Sequence, residues 1–130
     1  MKVVSAVTSR VDAIRNRLFL ASIGRSEKVS LHTARITVSH GDRTERFRVW
    51  ILVRAKGIVE AELQAERRLR EILLEHDELV IAENSLKQLK PRELTVATLN
   101  DESEGVLQLL QQMRREATPI ASSVERTYIS

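Results

Sequence analysis

Val4, Val7, Val11, Ile14, Leu18 and Ala21 recur at alternating three- and four-residue steps. That spacing draws one apolar stripe along a helix. It predicts a helix over about 3–23, closed by Gly24. The favoured expectation is that this stripe packs on the domain's own sheet. The alternative is a coiled-coil seam, for which three heptads are the minimum.

Period two replaces period three-to-four next. Residues 29–39, VSLHTARITVS, and 44–56, TERFRVWILVRAK, flank the segment HGDR. A Gly-Asp pair suits a two-residue type II′ hairpin, which takes glycine first. In that register, facing residue numbers sum to 83. Ile36 then faces Phe47, Ala34 faces Val49 and His32 faces Ile51, all on one mostly apolar face. A one-residue slip would scramble this agreement. The opposite face pairs Arg35 with Arg48, Thr37 with Arg46, Thr33 with Trp50, Leu31 with Leu52 and Val29 with Arg54. It is basic toward the tip and apolar toward the base.

Ile58, Ala61, Ala65, Leu69, Ile72 and Leu73 predict a second helix over 58–76. Leu63 and Leu74 fall off its main stripe. Residues 77–92 are ambiguous. LVIA (79–82) reads as a short strand followed by a loop or a turn of helix, yet Leu79, Ala82, Leu86 and Leu89 also fit a helix ending at Pro91. ELTVATL (93–99) reads as a strand. Asn100 or Asp101 would cap a third helix over about 102–117, whose stripe is Val106, Leu109, Leu110, Met113 and Ala117. The tail places Ile120, Val124 and Tyr128 at even positions, as a last edge strand or an arm. The expected fold is α+β, with an antiparallel sheet centred on the 29–56 hairpin and three helices. Residues 1–119 form one domain, and 120–130 a terminal strand or arm.

Composition narrows the class. A chain of 130 residues that is 42% apolar can build a real core. Aromatics are only 3%, so that core is aliphatic. There is no cysteine, which excludes disulfides and thiolate metal sites and fits a reducing compartment. No apolar run approaches the length of a membrane span. The first 17 residues are broken by Arg10, Asp12 and Arg15 and read as a core helix rather than a signal peptide.

The net charge of +3 conceals a division. Residues 1–57 carry 12 Lys+Arg against 4 Asp+Glu, a balance of +8, and residues 58–130 carry 9 against 14, a balance of −5. Such asymmetry points to partners. The halves neutralise each other within one fold, or the basic half meets an anionic polymer, or one copy's basic face docks on the next copy's acidic face.

Templates for chemistry find little. His32, His40 and His76 share no helix at metal-ligand spacing. The residues SHGD (39–42) read as a turn rather than as a triad. Four glycines leave no phosphate-cradling loop. The expectation is therefore a non-enzyme with no cofactor and no metal. The residues that stand out are Arg35, Arg46, Arg48, Trp50, Leu52 and Arg54, as an interface or anion-binding face with Trp50 and Leu52 as apolar anchors.

Two resemblances bear on the partner. The run FRVWILVRAKGIVEAELQAERRLREILLE (47–75) resembles the second half of a double-stranded-RNA-binding domain. That family grips phosphates with a lysine-rich start to its final helix, whereas IVEAELQAE (58–66) is acidic here. The order of the 3–23 helix, the hairpin ending in RFRVWILVRA, the 58–76 helix and the tail SVERTYI is similar to small phage tail-terminator and neck-completion proteins. That similarity implies a structural subunit forming a homo-oligomer, with a ring as one outcome, through complementary basic and acidic faces. Its partners would be copies of itself and neighbouring structural proteins, with no membrane, in the cytoplasm or a virion. The alternative is a nucleic-acid-binding module using the basic hairpin face.

Overall fold

A computed structural model describes residues 2–40, 43–75 and 89–129, with the side chains of 10–37, 46–75 and 89–125. In chain order the elements are α1 (Lys2–Ile23), β1 (Lys28–His40), β2 (Arg43–Ala55), α2 (Ile58–Glu75), β3 (Lys90–Leu94), a 3₁₀ turn (Leu99–Asp101), α3 (Glu104–Glu116) and β4 (Ile120–Ile129). The four strands make one antiparallel sheet in the order β3-β1-β2-β4. The chain is thus α+β, as its alternating periods predict.

The hairpin register is the predicted one. His40 pairs with Arg43, Ile36 with Phe47, Arg35 with Arg48 and Val29 with Arg54. The loop therefore holds two residues, Gly41 and Asp42. The turn type expected for them lies outside the described residues, as does the expected 79–82 strand.

Strand alternation divides the sheet into two faces with separate cores. On one face Ile36, Phe47, Val49, Ile51, Val53 and Ala55 pack against Ala61, Ala65, Leu69 and Ile72 of α2. On the other, Val29, Leu31, Leu52, Leu94 and Ala121 pack against Leu20 and Ile23 of α1 and Val106, Leu109, Leu110 and Met113 of α3. Each fully buried aliphatic or Phe side chain stabilises the fold by about 1.5–3 kcal/mol. Arg68 ties α2 to β4 by donating to Ser122 Oγ at 3.0 Å.

Four expectations need correction. The 93–99 segment is not a strand: β3 ends at Leu94, and a turn follows in which Thr98 N–H donates to the Thr95 carbonyl. Pro91 lies inside β3, which is tolerated because β3 is an edge strand. The cap of α3 is Ser103, whose Oγ accepts from Val106 N–H, rather than Asn100 or Asp101. Ile58 starts α2 but is exposed.

The fourth correction is the largest. Over the described side chains, the apolar stripe of α1 does not pack on the sheet. Val11 is 44% exposed, Ile14 60% and Leu18 66%. Besides Leu20, Ile23 and the half-buried Phe19, the described part of α1 turns a polar strip inward. Asn16 is buried, and Asp12 accepts from Gln111 Nε2 at 2.9 Å and from Arg114 Nη2 at 3.2 Å. Arg114 Nε also donates to Asn16 Oδ1 at 3.3 Å. At about 100° per residue, Ile14 and Leu18 each sit roughly 160° around the helix from Asn16. Over this stretch α1 is amphipathic the wrong way round for a core helix.

His32 is buried on the α2 face of the sheet, where its Nε2 and Ser30 Oγ share a hydrogen bond at 2.8 Å. Burial lowers its pKa from the ordinary 6.5, because the charged ring is desolvated. The unfolded chain therefore binds more protons than the folded one below that pH. Stability is complete above about pH 6.5 and falls as pH drops below it, until the folded state also protonates. Urea midpoints measured from pH 7.5 to 5 are expected to decline, with a shallower decline in His32→Gln. Equal slopes in the two proteins would assign the pH dependence to other groups.

Candidate functional site

The outer face of the hairpin is only half covered. Its base lies under α1 and α3, and among the described residues no helix packs over its tip half. The six residues singled out from the sequence separate along this line. Leu52 is fully buried in the α1/α3 core and is not a surface anchor. Arg54 is also taken within the chain. Its guanidinium donates to Glu27 Oε1 at 3.0–3.1 Å and stacks over the Phe19 ring, 5.7 Å from the centroid. The apolar base of this face, which suggested anchors, is apolar because helices cover it.

Arg35, Arg46, Arg48 and Trp50 remain on the open half. Register places Arg35 directly opposite Arg48, and Arg46 opposite Thr37. Strand β3 adds Lys90 beside Thr33, a contribution that an ambiguous sequence segment concealed. Strand β4 adds Ser123 beside Trp50 and Glu125 beside Arg48. Thr33, Arg35, Arg48, Trp50 and Lys90 line an open hollow of about 830 Å³. Trp50 is half-buried, with one part packed on the α1/α3 core. Among the described residues, no carboxylate lies within ion-pair distance of Arg35, Arg46 or Arg48. Like charges directly opposite each other on a ladder cost roughly 0.2–1 kcal/mol.

Carboxylates of the acidic half are committed elsewhere. Glu102 receives a bidentate pair from Arg92, with Nη2 donating at 2.7 Å. That hydrogen bonding holds the Arg92 guanidinium above its ordinary range. Glu71 and Glu75 of α2 surround Arg68. Among the described residues, the carboxylates of α2 therefore do not neutralise the basic sheet face: α2 lies across the sheet from it.

Two apolar surfaces lie outside the cores, and the first was missed because its periodicity was read as core. One is the outward stripe of α1. The other is on α2, where Val59, Leu63 and Leu74 are 67%, 62% and 77% exposed. The α2 signal was visible as leucines off the main stripe. Among the described residues, no three His, Asp or Glu side chains gather into a metal-binding group. No helix of the described residues is long and apolar enough to cross a membrane. Comparison with known proteins finds no family model, no curated protein and no solved structure that matches this chain.

Proposed function

We propose that this chain is a non-catalytic subunit that assembles with copies of itself through complementary basic and acidic faces. The observation that carries this reading is the reversal of α1. A helix that bonds a polar strip to its own domain and offers Val11, Ile14 and Leu18 to solvent is built to be covered by something else. An assembly subunit of the phage tail-terminator or neck-completion kind, which the element order resembles, needs such surfaces. A place in the cytoplasm or in a virion fits it. Native mass spectrometry over a wide concentration range tests the reading. Multimers are expected, and monomer alone at every concentration overturns it.

A second reading is favoured by one observation, the open sheet face. Arg35, Arg48 and Lys90 line the hollow that holds the chain's single tryptophan, and Arg46 lies farther along the same face of β2. Cations that track phosphates beside an aromatic ring that stacks on bases are the parts of a single-strand nucleic-acid surface. The acidic start of α2 does not oppose this, because it lies on the other side of the sheet. Trp50 fluorescence reports directly on the hollow. Quenching by single-stranded oligonucleotides that weakens steeply with salt supports this reading. No quenching at ~50 mM salt removes it.

A further inference from the structure

We infer that the outward stripe of α1 is covered by the N-terminal half of α2 from a second copy of this chain, joined head to tail. This rests on the self-assembly reading and names the two surfaces that meet.

Apolar content selects the two surfaces, and charge pairs them. Around the α1 stripe the rim is basic. Arg10, Arg15 and Arg25 are exposed and have no hydrogen bond or ion pair among the described residues. The one acidic residue of α1, Asp12, is turned inward and held by Gln111, Arg114 and Arg115. Around Val59 and on the N-terminal side of Leu63 the rim is acidic, and the first cation, the exposed Arg67, comes one turn beyond Leu63. Residues 58–66 carry Glu60, Glu62 and Glu66 and no cation. Two α1 stripes brought together would oppose arginines to arginines, and two α2 stripes glutamates to glutamates. An α1 stripe on an α2 stripe opposes unlike charges around an apolar centre. This is the arrangement that gives specificity and register at an interface.

Topology then sets the mode of assembly. The two helices pack on opposite faces of the sheet, α1 with α3 on one side and α2 on the other. A single pair of copies cannot form both contacts at once. Each contact leaves one free α1 and one free α2, so the association is heterologous. It continues until a ring closes or a filament extends.

The test uses two variants that each block one surface. Leu18→Glu spoils the α1 stripe, and Leu63→Glu spoils the α2 stripe. Both side chains are more than 60% exposed, so unchanged circular dichroism and urea midpoints are expected of each. Wild type is expected to form multimers in native mass spectrometry. Each variant alone should be monomeric at the same concentration, with its contact weakened at least tenfold. An equimolar mixture should give a dimer and nothing larger, because it contains one intact α1 surface and one intact α2 surface. If Leu18→Glu is monomeric while Leu63→Glu still assembles, α1 is covered by another surface and the inference falls, though self-assembly stands. It falls likewise if the mixture stays monomeric, or if neither variant reduces assembly. A wild type that is only monomeric overturns the self-assembly reading itself.

Discussion

Phe47→Ala is expected to lower stability by about 3–5 kcal/mol, read as a fall in the urea midpoint under conditions where the chain is monomeric. Phe47 is 2% exposed and lies on the α2 face, where it packs with Ile36, its cross-strand partner, and with Val49. Aromatics are scarce in this chain, so no neighbouring ring can swing in to fill the space. The loss combines the transfer cost of the ring with the cavity it leaves. Against a total of about 5–15 kcal/mol for a domain of this kind, it is a large fraction. Thr37→Ala is the control. Thr37 is exposed on the other face, and a change there should stay within about 0.5 kcal/mol. Equal losses from the two substitutions would mean that the faces of the hairpin are assigned wrongly.

That assignment was legible in advance because two independent signals agreed. The Gly41-Asp42 loop proposed a register, and the apolar positions accepted it without a slip. Fourteen residues on, Ala61, Ala65, Leu69 and Ile72 matched the face that the register left apolar. Other readings failed for identifiable reasons. Pro91 was read as the end of a possible helix, yet it lies inside β3, an edge strand that accommodates proline where a central one does not. Leu52 and Arg54 were placed in an interface because a hairpin alone does not show which part of its outer face will be roofed. The error over α1 is the most instructive. Its stripe keeps the three-and-four spacing of a core helix, but periodicity reports a stripe without reporting what covers it. The side chains that decide its orientation, Gln111, Arg114 and Arg115, lie about a hundred residues away in α3. Only their bonds to Asp12 and Asn16 reveal that the polar side is the inner one.

Those bonds are expected to be costly to lose. Asp12→Ala should destabilise the chain by about 1.5–3 kcal/mol, the range for hydrogen bonds to a charged group in a mostly buried setting. The Asp12 side chain is 13% exposed and that of Arg114 17%, so solvent replaces little of what is removed. Arg114 would keep Asn16 as its hydrogen-bond acceptor on α1 but lose its countercharge there. Arg115→Ala should cost much less, because Arg115 reaches Asp12 only at 3.8 Å and is 59% exposed. A double replacement separates pair energy from desolvation. Taking both partners out together, as Asp12→Leu with Arg114→Met, leaves no stranded charge. It is expected to recover most of the loss, since a buried pair exchanged for apolar packing is often neutral. Urea unfolding of Asp12→Leu, Arg114→Met and the double closes the cycle. Additive losses would show that Asp12 and Arg114 are not coupled. Coupling would identify this polar strip as what holds α1 with Val11, Ile14 and Leu18 facing outward, against the pull of their own hydrophobicity.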